Sequence, residues 1–206
     1  ITESISTSGP ATVTGTTGND TVTVDGNDTQ VTSDLGAGGD TVDVTGDNSD
    51  SGSIDMGTGD NTLNVDGTGH DGNTIIASSG NDTFTLGGTD SNDNTFDAGD
   101  GSNDLNLTGS DYDGNAIVGG TGDDTFTMTG SDNGLIEGNT ISLGDGNNTA
   151  DLGGTNNDNN TVFSGAGADD ITLSGTDLTS NTIQTGDGTD TVTISGDNND
   201  LNDVNT

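Results

Sequence analysis

Apolar residues return along this chain at an almost constant interval. In each of nine segments an apolar anchor follows an aspartate or asparagine by two positions, and successive anchors are about 21 residues apart. The anchors are Val22, Val42, Leu63, Phe84, Leu105, Phe126, Ala150, Ile171 and Val192. A repeat of this length predicts a solenoid, in which each repeat packs only on its neighbours.

Polar and apolar positions alternate around each anchor, as in the TFTL segment 83–86. Alternation with a period of two indicates a strand with one buried face. A second apolar position follows twelve residues later in most repeats, for example Ile75 after Leu63. We therefore predict an all-β, parallel β-solenoid of nine coils, each with about 21 residues, two short strands and two turns.

Two parts of the chain depart from the regular repeat. A three-residue insertion between Asn133 and Glu137 lengthens one interval to 24 residues. The first coil is irregular, and either Val31 or Leu35 is expected to supply its second strand. Residues 1–14 form a strand-like segment that either caps the first coil or is donated to a neighbouring molecule, and residues 15–206 form the solenoid.

Glycine marks the turn before each first strand. It stands four residues ahead of the anchor in all nine repeats and six ahead in seven of them. The first set is Gly18, Gly38, Gly59, Gly80, Gly101, Gly122, Gly146, Gly167 and Gly188. Glycine at a fixed spacing indicates either a positive φ or a close approach of two backbones.

An oxygen-bearing side chain stands two residues before every anchor. These residues are Asp20, Asp40, Asn61, Asp82, Asn103, Asp124, Asn148, Asp169 and Asp190. In a strand this position faces the same side as the anchor, and an inward carboxylate is costly unless it is paired or bound to metal. The chain has 36 acidic residues and no lysine or arginine, so the row predicts a bound cation, with calcium favoured by oxygen ligands.

The composition narrows the functional classes. A hydrophobic content of 23% with a net charge of -36 is typical of disorder, and only the repeat argues for a folded chain. The absence of basic residues argues against nucleic acids and anionic membranes as partners, and no apolar run is long enough to insert into a membrane. No catalytic set interrupts the repeat, so we do not expect an enzyme.

Three turn segments show the glycine and aspartate pattern most clearly: GAGGDTV at 36–42, GTGDDTF at 120–126 and GDGTDTV at 186–192. They resemble the nonapeptide of RTX (haemolysin-type) calcium-binding repeats, and the resemblance covers the first half of nearly every repeat. It implies a parallel β-roll with on the order of eight calcium ions between neighbouring coils, held by the aspartates and by turn carbonyls. The glycines implied as ligands are Gly38, Gly59, Gly101, Gly122, Gly146, Gly167 and Gly188.

The second half of each repeat departs from the RTX pattern, because its turn is longer and ends in asparagine. The asparagines are Asn73, Asn94, Asn115, Asn139, Asn160, Asn181 and Asn202. Two interpretations are open: a ladder of stacked amides along the solenoid axis, or a second row of calcium ions. His70, the single histidine, and Tyr112 also lie in these longer turns and are expected to be solvated loop residues.

The leading functional hypothesis is an extracellular, calcium-stabilised structural protein that assembles end to end with copies of itself into a filament, surface layer or matrix. Uniform repeats and unprotected terminal strands motivate it. Outward threonines in the first strands are also similar to the surface of calcium-dependent ice adhesins, so an ice-binding or adhesin module is the alternative, with ice or another surface as ligand. A calcium-folding tail of a secreted enzyme is a third interpretation.

Overall fold

The computed structural model describes residues 1–135 and 137–205, and side chains up to residue 200. All regular structure in this range is β, in 22 strands. No helix long and apolar enough to cross a membrane occurs among the described residues. The predicted all-β parallel solenoid, with a spacing of about 21 residues and two strands per coil, is confirmed.

Two parallel sheets of ten strands run along the solenoid, and each strand pairs with its equivalents one coil away. The first sheet contains, in order, β1 (Thr2–Ile5), β3 (Thr21–Val24), β5 (Thr41–Val44), β7 (Thr62–Val65), β9 (Thr83–Leu86), β11 (Asp104–Leu107), β13 (Thr125–Met128), β15 (Thr149–Leu152), β18 (Asp170–Leu173) and β21 (Thr191–Ile194). The second contains β2 (Gly9–Thr16), β4 (Thr29–Gly36), β6 (Ser53–Thr58), β8 (Thr74–Ser79), β10 (Thr95–Asp97), β12 (Ala116–Val118), β14 (Thr140–Ser142), β16 (Thr161–Phe163), β19 (Thr179–Gln184) and β22 (Asp200–Asn205). A two-stranded sheet pairs β17 (Ala166–Gly167) with β20 (Asp187–Gly188).

The predicted anchors lie in register across the first sheet. Leu105 pairs with Phe84 on one side and with Phe126 on the other. The first eight anchors are buried in one continuous core, while Val192 in the last coil is partly buried. The core is thin because each coil adds only a few apolar side chains, so stability depends on stacking many coils.

The N-terminal segment forms an additional layer of the same solenoid. β1 pairs with β3 and β2 pairs with β4, and the side chains of Ile5 and Val13 are buried in the core. Within this chain the segment therefore covers the edge of the first predicted coil.

The first coil takes its second strand from β4, which contains both Val31 and Leu35, as predicted. Within β4, Ser33 pairs with Ile54 and so holds the register position of the second apolar residue. Val31 and Leu35 flank it, and all three side chains are buried. The eight-residue strand β4 therefore buries alternate residues on both sides of a serine.

The glycine turns bring neighbouring coils too close for a side chain. Gly101 has a φ of +138°, and a Cβ atom there would lie 1.7 Å from the carbonyl oxygen of Gly80 one coil away. In the longer turns, left-handed positions are filled by short polar residues such as Asp90 and Asp93, both with a φ of 57°. Glycine and aspartate are thus placed in these turns by backbone geometry.

Replacing Gly101 by alanine is expected to destabilise the solenoid by at least about 2 kcal/mol, because the methyl group overlaps the Gly80 carbonyl and the φ is strained for an L-residue. Gly18→Ala is the matched control, since the nearest atom to its added Cβ is Thr16 Oγ1 at 3.9 Å. The urea midpoint measures both. Equal midpoints for the two variants would contradict the packing argument.

Candidate metal-binding edge

The inward aspartates and asparagines of the glycine turns form a continuous hydrogen-bonded row. The Oδ1 atom of each residue from Asp40 to Asp190 accepts the backbone N–H of its equivalent in the preceding coil, at 2.7–3.1 Å. All members of the row are buried except Asp190, which is half-buried. Every predicted metal-site side chain therefore lies on one edge of the solenoid, one per coil.

The asparagines of this row also satisfy their second polar atom. Nδ2 of Asn103 donates to the carbonyl oxygens of Gly99, Gly101 and Gly119, at 3.2, 3.5 and 2.9 Å. Asn148 does the same toward Gly144, Gly146 and Ser164, at 2.9, 3.5 and 2.8 Å. We call this group of carbonyl oxygens, two from the same turn and one from the next coil, the carbonyl pocket.

The aspartates present an oxygen where the asparagines present an N–H donor. The Oδ2 atoms of Asp40, Asp82, Asp124 and Asp169 are buried and have no hydrogen-bond partner. At Asp124, Oδ2 lies close to the backbone of Gly119, because a Cβ atom added to that glycine would be 2.5 Å from it. A buried carboxylate oxygen without a donor is costly, and a proton or a cation would remove that cost.

Burial raises the pKa of these carboxyl groups. The pKa values of Asp82 and Asp124 rise from 3.8 to about 6, mainly through desolvation, although hydrogen bonds from Asn61 and Asn103 act in the opposite direction. Desolvation also raises the pKa of Asp40. The charged form is therefore disfavoured in the folded chain unless a cation compensates for the lost hydration.

Asp20 differs from the others because it has a cationic partner. The α-ammonium group of Ile1 pairs with its Oδ1, and the N–H of Thr16 donates to Oδ2 at 2.6 Å. The ammonium group lowers the pKa of Asp20. The argument that the absence of lysine and arginine leaves the inward carboxylates without a partner therefore does not hold for Asp20, since it considered only side-chain cations.

The described residues contain no group of three or more His, Cys, Asp or Glu side chains that could hold a metal ion. A cation on this edge would instead take one carboxylate oxygen and several backbone carbonyl oxygens. Calcium accepts this mixture, because it binds six to eight oxygens and takes carbonyls readily. The unpaired aspartate oxygens and the carbonyl pocket thus fit calcium. Gly38, Gly122 and Gly167 stand two residues before Asp40, Asp124 and Asp169, as Gly101 stands two residues before Asn103.

The opposite edge carries an asparagine ladder. The Oδ1 atoms from Asn94 to Asn181 accept the backbone N–H of the preceding asparagine at 2.8–3.0 Å, and Nδ2 of Asn73, Asn94, Asn115 and Asn139 also donates to the next Oδ1 at 3.0–3.1 Å. Further Nδ2 bonds reach backbone carbonyls. These amides are fully used, which favours the ladder over a second calcium row. Asn202 lies outside the described side chains.

His70 and Tyr112 are buried, so the expectation that they are solvated was wrong. Their exposed fractions are 3% and 0%. Nδ1 of His70 accepts the N–H of Ser49 at 3.2 Å, and Nε2 lies 3.1 Å from the Asp66 carbonyl oxygen. Both residues occupy a third inward row of the longer turn, in which the N–H of Tyr112 donates to Asn133 Oδ1.

Two signals in the sequence could have revealed more of this arrangement. Ser49, His70, Ser91, Tyr112 and Asn133 are each 21 residues apart, the same interval as the buried anchors. The glycines six residues before the anchors line the carbonyl pocket but were not predicted as ligands. The third carbonyl of the pocket comes from the next coil. The sequence does not reveal it, because the residue that supplies it differs in type: Gly119 for Asn103 and Ser164 for Asn148.

In comparisons with known proteins, no family model, no curated protein and no solved structure matches this chain. The resemblance of the glycine turns to RTX repeats stays a prediction.

Asn115→Ala is expected to cost at least about 2 kcal/mol, because it leaves the buried N–H groups of Asn94 and the carbonyl of Ser91 without partners. Asn106→Ala in the same coil is the control, since that amide bonds only to Asp104 on the solvated face. Thermal unfolding compares the two. A cost for Asn106→Ala as large as that for Asn115→Ala would contradict the structural importance of the ladder.

The metal-free chain is expected to become more stable on acidification. Asp82 and Asp124 have a higher pKa in the folded chain than the value of 3.8, so the folded state binds more protons. Their contribution is complete below pH 3.8 and is lost as the pH rises through about 6. Circular dichroism of the chain in chelator at several pH values measures this, as a β content that rises on acidification from the low value expected at neutral pH.

Acidification also weakens charge repulsion among the other acidic residues of the chain. The double variant Asp82→Asn with Asp124→Asn keeps this general effect and therefore controls for it. Its stability should depend less steeply on pH between about 4 and 6 than that of the original chain. Identical pH dependence in the two proteins would mean that these carboxyls do not titrate as the burial requires.

Proposed function

We propose that this chain is an extracellular structural protein whose solenoid is stabilised by calcium and assembles end to end. The observation that carries the proposal is the set of four buried aspartate oxygens without partners, in a chain that has no lysine or arginine. A cation supplies positive charge to the carboxylates and joins oxygens of adjacent coils.

The residues that would hold calcium are Asp40, Asp82, Asp124 and Asp169, together with the carbonyl groups of the glycine turns. Each aspartate already accepts an N–H from the preceding coil through Oδ1, and its second oxygen is buried without a partner. Because the pocket combines oxygens of two coils, a cation bound there favours the stacked state over the unfolded chain.

A site of this kind suits an extracellular protein. Calcium sites built mainly from neutral oxygens are weak, and extracellular modules operate at dissociation constants of about 0.1–1 mM. At the much lower calcium activity of a cytosol, the self-repulsion of 36 acidic residues opposes the compact state. Calcium would thus couple folding to arrival outside the cell.

The open edge of β21 is the surface that the proposed assembly would use. In this chain β21 has a partner strand on one side only, and 52% of the Ile194 side chain is exposed at that end. An unpaired strand edge beside apolar surface is a template for another strand, and the first layer of a second copy has the matching parallel geometry. Stacking of copies would continue both sheets and bury Ile194.

The experiment measures β content by circular dichroism and particle mass by light scattering, in chelator and in millimolar calcium. We expect low β content in chelator, and in calcium a folded chain whose mass rises with protein concentration. Ile194→Lys should fold with calcium but remain monomeric, because a buried lysine would be unpaired at the junction. Ile76→Lys is the control, since Ile76 is 38% exposed on a lateral strand.

Unchanged β content in chelator would overturn the calcium dependence. A monomer at every concentration in calcium, or assembly of Ile194→Lys that equals that of Ile76→Lys, would overturn end-to-end stacking through this surface.

A further inference from the structure

Aspartate and asparagine alternate along the metal-binding edge. From the second predicted coil to the eighth, the inward residues are Asp40, Asn61, Asp82, Asn103, Asp124, Asn148 and Asp169. All are buried and all use Oδ1 in the same way, as acceptor of the preceding coil's N–H. The two residue types therefore differ only in the second polar atom of the side chain.

In the asparagines this second atom is Nδ2, a donor that has hydrogen-bond partners. In the aspartates it is Oδ2, an acceptor that has none. Nδ2 of Asn61 lies 2.9 Å from the Gly59 carbonyl oxygen, and Asn103 and Asn148 reach the corresponding carbonyls of their own turn and of the next coil. The aspartate oxygens in the equivalent place have no donor. The asparagine amide already occupies the space and supplies the positive dipole that a cation would supply.

We propose that calcium binds at Asp40, Asp82, Asp124 and Asp169 and not at the asparagine coils, so that the second to eighth coils hold about four ions, one in every second coil. This inference rests on the proposed calcium dependence and refines it. It differs from the expectation of on the order of eight ions, because the asparagine amides act as built-in substitutes for the cation.

Electrostatics favours the alternating arrangement. Ions in adjacent coils would lie about 4.8 Å apart, whereas ions in every second coil lie about 9.6 Å apart. Coulomb repulsion between them falls by about half when the separation doubles. The backbone N–H groups of Asp40, Asp82 and Asp124 donate to the Oδ1 atoms of the asparagines in the following coils, so the hydrogen-bonded row is continuous between the ion sites.

The test counts calcium ions per chain by native mass spectrometry and by equilibrium dialysis of the full chain with calcium. The original chain is expected to hold about four ions on this edge. Asp82→Asn should hold one fewer and Asn103→Asp one more, because each exchange converts one type of coil into the other. Asp104→Asn is the matched control: Asp104 is exposed beside Asn103, and the count should not change.

A variant with asparagine at all four aspartate positions provides a second measurement. It is expected to bind no calcium on this edge and to keep its β content in chelator, since asparagine is compatible with the same pocket at Asn61, Asn103 and Asn148. This gain of metal-independent folding cannot be produced by a variant that merely fails to fold.

About eight ions in the original chain, or a count that Asn103→Asp does not raise, would overturn the alternation and leave calcium-dependent folding in place. No bound ions, together with unchanged β content in chelator, would overturn both proposals. A loss of folding in the four-asparagine variant even with calcium present would show that aspartate is needed for another reason and would also overturn the alternation.

Discussion

Hydrogen bonds along the solenoid axis are the constraint on which this structure depends. Each coil is too small to bury its own apolar residues, so it is stable only in register with its neighbours. The register is set by backbone pairing in two sheets and by inward Asp, Asn and His side chains that accept the N–H of the preceding coil. A shift of one residue would turn both the anchors and these acceptors outward.

The two edges use this constraint differently. On the longer turns, the asparagine amide bonds along the axis with both its oxygen and its nitrogen, and the row is self-sufficient. On the glycine turns, the row is self-sufficient only where it carries asparagine, and each buried aspartate leaves one oxygen without a partner. The asparagine edge is thus fully hydrogen-bonded, while the glycine-turn edge leaves buried carboxylate oxygens that calcium would bind in the proposed function.

The negative charge of the chain adds to the free-energy cost of folding. A net charge of -36 opposes compaction, and the one ion pair among the described residues uses the α-ammonium group of Ile1. Buried carboxyls with raised pKa values add to the cost of folding at neutral pH. Under the proposed function, bound calcium offsets both costs and favours folding where calcium is abundant.

The sequence by itself determined the coil period, the two strands per coil, the inward rows and the identity of the buried anchors, because periods of two and of about 21 are repeated in local patterns. It also predicted the asparagine ladder as one of two alternatives. Only the tertiary structure decided that Ser33 holds an apolar slot, that His70 and Tyr112 are buried, and that residues 1–14 add a layer. It alone also showed which carbonyl oxygens surround each inward side chain, because these contacts join residues of adjacent coils through backbone atoms that leave no trace in residue type.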